Sequence, residues 1–412
     1  MVTCRQLRLA ALALVVLATP VGAHAQQDRS AGPDSAGAWV STWRAAQQLT
    51  EKRNLPPAPG LSGNTLRQVV HVSIGGERLR VRFSNAFGNA PVTIQAAHIA
   101  PSAGGSAIDP SGDRALRFGG SESVTIPAGE AVVSDALDYP LKPLSNVAIT
   151  LHFGGTSRNV TGHPGSRTTS YLQAGDAVTA TDLAGAATAD HWYNIAGIDV
   201  VAPRATAIAI LGNSITDGRG STTNGNDRWP DNLARRLQAN PATRGVAVLN
   251  QGIGGNCVVR FCLGPPALAR FDRDVLRPNG VRWLIVFEGV NDIGGSRGAE
   301  ASARVARELI AAYRQFIGAA HAHGIAVYGA TITPFGGSFY DSPEHEAARR
   351  TVNDWIRSSG AFDAVIDLDA AVRDPAHPSA LLPAADSGDH LHPNQTGYRM
   401  MADAIDLGLF AR

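Results

Sequence analysis

The sequence predicts an α/β domain with a parallel sheet in its C-terminal half, preceded by an all-β region of the sandwich or jelly-roll type. Hydrophobicity alternates mainly with a period of two from residue 66 to residue 201, without a long helical pattern. After Pro203, short apolar runs alternate with amphipathic segments, as strands and helices do in α/β folds. A chain of 412 residues is long enough for two domains, which we expect at 39–202 and 203–412.

The first 25 residues have the features of a signal peptide. Arg5 and Arg8 precede an apolar run, and Ala23-His24-Ala25 fits a small-x-small cleavage site. The apolar run is too short for a convincing membrane span. We therefore expect cleavage after Ala25, secretion or periplasmic export, and no stable membrane insertion.

Charge and cysteine content narrow the class of protein further. The chain has 36 Lys and Arg against 35 Asp and Glu. This charge balance does not favour nucleic acid or an anionic membrane as a binding partner. Of its three Cys, Cys4 lies in the predicted signal peptide, which leaves Cys257 and Cys262. In an oxidising compartment this pair predicts a disulfide, with two buried free thiols as the alternative.

Alternating strands account for the N-terminal half. We expect strands at 39–43, 66–74, 78–83, 92–99, 123–126, 131–137 and 146–153. Gly75-Gly76, between the second and third of these, predicts a β-hairpin. Pro and Gly separate the other strands, which is typical of an antiparallel sandwich.

The C-terminal half alternates buried strands with helices. We expect strands at 205–211, 246–250, 284–287, 325–333 and 364–368, and helices at 228–239, 299–323, 343–358 and 396–407. Pro230 is in a position that starts helices, and Gly324 follows the long helix. Ligands of open α/β sheets bind at the carboxyl ends of the strands, so the polar residues there are the functional candidates.

Four polar stretches meet this condition or lie just before the last helix. They are Gly212-Asn213-Ser214, Asn250-Gln251-Gly252-Ile253-Gly254-Gly255-Asn256, Glu288-Gly289-Val290-Asn291-Asp292 and Asp389-His390-Leu391-His392-Pro393-Asn394. Serine hydrolysis needs a nucleophile, a base, an orienting acid and oxyanion donors, and together the stretches offer all four.

Three of the stretches each allow a structural alternative. Ser214 is a candidate nucleophile or a helix cap, and Thr216 replaces the second glycine of a Gly-x-Ser-x-Gly elbow, which disfavours a standard α/β-hydrolase. The glycines around Gly255 suit N–H donors facing a ligand, or a flexible turn. Asn291 suits an oxyanion donor, or a turn or helix cap.

The last stretch allows two chemistries. Asp389 and His392 are three residues apart, so the carboxylate can hold one ring nitrogen while the other faces a serine. With His390 the same residues suggest a metal site, but they lack the wider ligand cluster that is usual for zinc. We therefore predict a catalytic pair and no metal.

Taken together, Gly-x-Ser, Asn-x-Gly-x-x-Gly, Gly-x-Asn-Asp and Asp-x-x-His-Pro, in this order, closely resemble the four blocks of the SGNH superfamily, also called GDSL esterases and lipases. The resemblance covers roughly Ala205 to Arg412, about half of the chain. It implies a flavodoxin-like domain of three layers. Asn213 departs from the family, which usually has Asp at this position.

The resemblance also implies roles for individual residues. Ser214 matches the nucleophile, His392 the general base and Asp389 the acid that orients it. The N–H groups of Ser214 and Gly255 and the side-chain amide of Asn291 match the oxyanion hole. No metal or organic cofactor is implied.

The activity expected from these matches is that of a secreted serine esterase that hydrolyses short-chain acyl or acetyl esters through an acyl-enzyme. Carbohydrate acetylesterase and lysophospholipase or lipase are alternatives within the superfamily, so the substrate is a small-molecule, carbohydrate or lipid ester. The N-terminal half, through Thr65–His71 and Arg82–Gly88, is similar to the accessory half of secreted bacterial members. A glycan-binding protein with an inactive SGNH scaffold is the non-enzymatic alternative, which the intact residue set disfavours.

Cys257 lies two residues after Gly255, so the expected disulfide would hold the oxyanion loop in place. The alternative is a disulfide that only constrains a surface loop. Because only four residues lie between the two cysteines, the closed loop is short and its effect on global stability is limited.

Overall fold

The computed structural model describes residues 39–411, and the predicted signal peptide and its cleavage site lie outside the described residues. Short strands dominate the first part of this range. They are β1 (Trp39–Arg44), β2 (Gln48–Leu49), β3 (Asn64–His71), β4 (Gly76–Ser84), β5 (Val92–Gly104), β6 (Ala107–Ile108), β7 (Arg114–Ala115), β8 (Val124–Ile126), β9 (Ala131–Val133), β10 (Leu137–Leu141), β11 (Asn146–Phe153), β12 (Thr161–His163), β13 (Ser170–Ala174), β14 (Ala187–Ala189), β15 (Trp192–Tyr193) and β16 (Ile195–Val201).

These strands form antiparallel sheets that face each other across one apolar core. One sheet has the order β1-β16-β4-β10 with β9 paired to β4, and the other has the order β14-β13-β3-β11-β5-β6 with β7 and β8 paired to β5. A small third sheet has the order β15-β12-β2. Fully buried residues of both large sheets, such as Phe83 and Ile149, belong to the same hydrophobic cluster. The predicted β-sandwich is confirmed.

The hairpin predicted at Gly75-Gly76 is wrong, because the two strands flanking it lie in different sheets. β3 pairs with β11 and β13, whereas β4 pairs with β16, β10 and β9. The connecting chain is held by other partners: the Val72 N–H donates to the Ser145 carbonyl at 3.0 Å, and the Ser73 N–H donates to Thr42 at 3.2 Å. A Cβ on Gly75 would clash with the Leu141 carbonyl, so the glycine permits close packing at a corner between sheets.

The second part of the chain alternates strands and helices. These are β17 (Thr206–Gly212), α1 (Ser214–Asp217), α2 (Trp229–Ala239), β18 (Val246–Gly252), α3 (Ala267–Phe271), β19 (Val281–Phe287), α4 (Val290–Gly294), α5 (Ala299–His321), β20 (Ala326–Ala330), α6 (Pro343–Ser358), β21 (Ala364–Ile366), α7 (Leu368–Val372) and α8 (Gln395–Asp403). A π-helical turn at 272–276 and 3₁₀ turns at 52–54, 110–112, 383–385 and 407–410 complete the regular structure.

The sheet of this part is parallel and has the order β18-β17-β19-β20-β21, which is the flavodoxin-like order 2-1-3-4-5. Alternate residues of β17 face opposite layers. Ala209 and Leu211 pack in a cluster with residues of α3, α5 and α6, and Ile208 and Ile210 pack with residues of α2 and α8. The predicted three-layer α/β domain is confirmed.

Some predicted elements end elsewhere in the structure. The strand predicted at 325–333 stops at Ala330, and shortly after it the Ile332 N–H donates to the Asn353 side chain of α6 at 2.7 Å and not to a neighbouring strand. The last helix ends at Asp403, before the turn at 407–410. These differences lie at element ends, where local sequence carries the least information.

The β-sandwich packs directly on the α/β sheet. Ala207, Ala247 and Leu249 of β17 and β18 belong to the same hydrophobic cluster as the sandwich core. Polar contacts cross the same junction: the Val248 N–H donates to the Ser73 hydroxyl at 3.1 Å. This contact brings sandwich loops close to the carboxyl edge of the parallel sheet. Among residues 39–411, no helix combines the length and the apolar composition that a membrane span requires.

Candidate active site

Strand register places the first three predicted blocks side by side. Gly212, the last residue of β17, lies opposite Gly252 of β18 and Phe287 of β19. The loops that follow these three strands therefore begin at the same level of one sheet edge. Ser214, Gly255 and Asn291 follow within four residues of those strand ends.

Ser214 is the first residue of α1 and is 9% exposed. Asn213 caps this short helix, because its Oδ1 accepts a hydrogen bond from the Ile215 N–H at 3.1 Å. Its Nδ2 donates to Glu288 Oε2 at 3.3 Å, which the carboxylate usual at this position could not do. The departure from the family pattern therefore keeps the cap and adds a bond to β19's terminal loop.

The structure brings Ser214, His392 and Asp389 together. Ser214 Oγ lies 2.8 Å from His392 Nε2, and His392 Nδ1 lies 2.7 Å from Asp389 Oδ2. Asp389 Oδ1 also accepts hydrogen bonds from the N–H groups of Leu391 at 3.1 Å and His392 at 2.9 Å. The turn thus fixes the carboxylate and the imidazole in one geometry, which is that of a serine–histidine–acid triad.

The second histidine of this stretch points elsewhere. His390 Nδ1 contacts Asp386 Oδ2 at 2.6 Å, and its side chain is 55% exposed. Within the described range 39–411, no group of three or more His, Cys, Asp or Glu side chains is arranged to hold a metal ion. The metal alternative for Asp389, His390 and His392 has no support in this arrangement.

The environment of the His392–Asp389 pair suits a neutral base beside a charged acid. Burial lowers the pKa of His392, the hydrogen bond and charge of Asp389 oppose this shift, and the charges of Arg219 and Arg167 add to it. Burial disfavours ionisation of Asp389, but hydrogen bonds from the His392 N–H and imidazole outweigh it and lower the pKa of Asp389 to about 2. At neutral pH the imidazole is therefore free to accept a proton.

Asn291 and Gly255 face Ser214 from the neighbouring loops. Asn291 Nδ2 donates to the Asn256 carbonyl at 2.7 Å, and its Oδ1 accepts from the Tyr340 hydroxyl at 3.1 Å. These two bonds fix the orientation of the amide. Gly255 has a left-handed φ of +71°, which glycine adopts without strain, and its N–H donates no hydrogen bond to any described residue. Both residues line the cleft that contains Ser214 and His392.

The loop that carries Gly255 is held by a disulfide and by Asp292. Cys257 and Cys262 are bonded, with their Cα atoms 5.6 Å apart, so the predicted disulfide is confirmed. Asp292 Oδ2 accepts from the Val258 N–H at 2.8 Å, and its Oδ1 accepts from the Val259 N–H at 3.3 Å. This role of Asp292 was not predicted, although the third block contains the residue.

A histidine of the β-sandwich reaches the same loop. His163 of β12 contacts Asp217 Oδ1 through Nε2 at 2.8 Å, and Asp217 Oδ2 accepts from the Gly254 N–H at 2.8 Å. Both side chains are buried, and His163 Nδ1 faces the Ala46 carbonyl at 2.8 Å. The sandwich is thus linked to the residue before Gly255. No local sequence pattern around His163 indicates this contact, and it was not predicted.

A buried polar network lies beneath the site. The Arg270 guanidinium donates to the Gly212 carbonyl at 3.1 Å and the Gln251 carbonyl at 2.7 Å, and it lies 3.4 Å from Glu288. Burial raises the pKa of Glu288 to about 8, although the charge of Arg270 opposes the shift. The network joins the carboxyl ends of β17, β18 and β19, from which the candidate residues project.

The cleft has a volume of about 450 Å³ and is formed by both parts of the chain. Its walls contain polar, cationic and apolar groups: Gln48, Glu51, Arg53, Asn54, Pro164, Gly165, Arg167, His191, Ser214, Asp217, Arg219, Gly254, Gly255, Leu263, Asn291, Phe339, Tyr340, Leu391 and His392. The residues from Gln48 to His191 belong to the sandwich half, and none of them was a predicted site residue.

The family match found by comparison with known proteins covers only the α/β part of the chain. Residues 210–400 match the GDSL-like Lipase/Acylhydrolase family. No curated protein matches the chain significantly. Similar solved structures include an acetylxylan esterase, Axe2, from Geobacillus stearothermophilus (22% identity, 48% of this chain and 91% of that chain, TM-score 0.36). Another is a GDSL-like lipase, BT0569, from Bacteroides thetaiotaomicron VPI-5482 (19% identity, 50% of this chain and 87% of that chain, TM-score 0.36).

The family match includes the end of the strand before Ser214, the loops with Gly255 and Asn291, and the turn with Asp389 and His392. The sheet order, the four ordered blocks and the family match agree. The α/β part of this chain is therefore a GDSL-like lipase/acylhydrolase domain of the SGNH/GDSL hydrolase superfamily.

Proposed function

We propose that the protein is a serine esterase that hydrolyses short-chain acyl or acetyl esters through an acyl-enzyme intermediate. The observation that carries this proposal is the hydrogen-bonded series Ser214–His392–Asp389 beside the unpaired N–H of Gly255. A glycan-binding protein with an inactive scaffold would have no need for this series.

In the proposed mechanism His392 Nε2 accepts the Ser214 proton while Oγ attacks the ester carbonyl. Asp389 holds the imidazole through Nδ1 and stabilises the imidazolium that forms. The N–H groups of Ser214 and Gly255 and the Asn291 amide bind the oxyanion. His392 then protonates the departing alcohol. In the second half-reaction it activates water, which releases the acid and restores the free serine.

The cleft supports a small, hydrophilic substrate. Its volume of about 450 Å³ is limited, and Gln48, Glu51 and Asn54 of the sandwich form part of its wall. We therefore favour a short acyl group on a hydrophilic alcohol, such as an acetylated carbohydrate, over a long-chain lipid.

We also propose that the protein is exported and loses residues 1–25. The signal-peptide features and the Cys257–Cys262 disulfide support an oxidising compartment. N-terminal sequencing of the protein recovered outside the inner membrane should begin at Gln26. An intact N-terminus in that fraction would contradict the proposal.

Replacing the nucleophile tests the esterase function. Ser214→Ala should lower the turnover of para-nitrophenyl acetate by several orders of magnitude with an unchanged melting temperature. Ser358→Ala, on the exposed end of α6, is the matched control and should retain normal turnover. Normal hydrolysis by folded Ser214→Ala would exclude the mechanism. Inactivity of the wild type on every ester tested would favour the glycan-binding alternative.

A further inference from the structure

Three arginines of the cleft, the exposed Arg53 together with Arg167 and Arg219, have guanidinium groups without a partner among the described residues, and the last two lie nearest the general base. Arg167 follows β12 in the sandwich, and Arg219 follows α1. Neither guanidinium forms a hydrogen bond or ion pair with any residue in the range 39–411, and Arg167 Nε is buried. Arg167 is half-buried and Arg219 is exposed, whereas the buried Arg228 is paired with Asp231 at 2.6 Å. An unpaired guanidinium at a cleft wall is available to an anionic ligand.

The backbone at Arg167 is held in an uncommon conformation. Its φ is +53°, in the left-handed region, which costs a residue with a Cβ free energy. Asn224 of the α/β part fixes this turn, because its N–H donates to the Arg167 carbonyl at 2.9 Å and its Oδ1 accepts from the Thr169 N–H at 2.8 Å. Contacts from both parts of the chain thus hold Arg167 at the cleft wall.

The carboxylates near the cleft are engaged by other groups. Glu51 accepts from Gln48 Nε2 at 2.7 Å and from Asn54 Nδ2 at 2.9 Å. Asp217 is bonded to His163 and the Gly254 N–H, and Asp389 is bonded to His392. None of the three forms an ion pair with Arg167 or Arg219.

The cleft is asymmetric about Ser214. Arg219 adjoins Gly220, which packs against the carbonyl of Pro393, the residue after His392. Arg167 is bonded to Asn224 of the same loop, so both arginines lie towards the general base. Leu263, Phe339 and Tyr340 line the cleft with Asn291 on the oxyanion side. Since His392 protonates the departing alcohol, the alcohol half of an ester lies on the cationic side and the acyl half on the apolar side.

We propose that the alcohol half of the substrate carries an anionic group, a carboxylate or a phosphate, which Arg167 and Arg219 bind. This inference rests on the esterase function proposed above and specifies its substrate class. The two arginines determine specificity, and they take no part in proton transfer.

Matched esters with and without a charge on the alcohol half test the inference. The substrates are para-acetoxybenzoate and its methyl ester, and the quantity compared is the ratio of their kcat/KM values. Dividing the ratio for a variant by the ratio for the wild type removes the difference in intrinsic reactivity between the two esters. Arg167→Gln and Arg219→Gln should each lower the ratio by about tenfold, as expected for a charge-assisted hydrogen bond. Arg282→Gln, at the opposite end of β19, is the control and should leave it unchanged.

The second arm of the experiment uses esters that carry the charge on the acyl half. The ratio for the mono-para-nitrophenyl ester of succinate over para-nitrophenyl butyrate should not depend on Arg167 or Arg219. Dependence in this arm, and none in the first, would overturn the proposed orientation. An unchanged first ratio in both variants would overturn the inference while normal turnover left the esterase function intact. Absence of ester hydrolysis by the wild type would instead contradict the proposed esterase function.

Competitive inhibitors distinguish the two sources of the anion. Glycerol phosphate tests the phosphate and glucuronate tests the carboxylate, each against hydrolysis of para-nitrophenyl acetate. Inhibition by either that weakens about tenfold in Arg167→Gln, and weakens with added salt, supports the inference and identifies the group. Absence of inhibition by both, or inhibition that is the same in Arg167→Gln, contradicts it.

Discussion

The contact between the β-sandwich and the oxyanion loop is open to a direct test at His163. This side chain holds Asp217, and Asp217 in turn accepts the N–H of Gly254, next to Gly255. We hypothesise that His163 is a positioning residue that acts on the oxyanion hole through Asp217. His163→Asn shortens the side chain and should break the bond to Asp217, whereas His163→Gln can still present an amide N–H near the position of Nε2.

The expected size of the effect follows from burial. The side chains of His163 and Asp217 are 4% and 1% exposed, so water cannot replace a lost partner. Loss of a hydrogen bond to a buried charge should cost about 1.5–3 kcal/mol of folding free energy. A shift of the loop by a fraction of an ångström should lower kcat by about ten- to hundredfold, since catalysis depends steeply on such placement.

The assay measures kcat and KM for para-nitrophenyl acetate well below the melting temperature. The expected order of kcat is wild type, then His163→Gln, then His163→Asn, with similar KM values. His98→Asn is the matched control, because His98 contacts Asp113 at 3.0 Å in the same sandwich but away from the cleft. It should lower the melting temperature without affecting kcat. Normal kcat in His163→Asn, or an equal loss in His98→Asn, would refute the positioning role.

Three further predictions concern the site itself. Asn291→Ala should lower kcat by about a hundredfold or more at similar KM, as loss of one oxyanion donor does; a raised KM alone would place Asn291 in substrate binding. Because the pKa of His392 is lowered and the neutral imidazole is the base, kcat/KM should rise with pH through a midpoint below 6.5, and Arg219→Gln should move that midpoint upward; an acid limb above 6.5 would contradict this. The Cys257→Ser and Cys262→Ser double variant should lose at most about 2–3 kcal/mol of stability, and its loss of kcat should be larger than this change in stability explains. An unchanged kcat would mean that the disulfide only constrains a surface loop.

Local sequence determined the α/β domain and the residues brought together at its edge. The carboxyl ends of parallel strands lie at one edge of a sheet. Motifs that directly follow these strands therefore lie close to one another in the folded domain. Ser214, Gly255 and Asn291 lie together for this reason, and the short turn from Asp389 to His392 carries its own hydrogen bonds. Hydrophobic periodicity placed these residues at strand ends, and the resemblance of the ordered blocks to the SGNH superfamily implied their roles.

Tertiary structure alone decided what the sandwich contributes. The Gly75-Gly76 dipeptide is locally compatible with a hairpin and with a corner between sheets, and only the distant partners of β3 and β4 select the corner. His163 and Arg167 lie about fifty residues before Ser214 and carry no motif. They reach the cleft because the sandwich packs on β17 and β18 through Ala207 and Leu249, a long-range apolar contact that local sequence patterns do not encode.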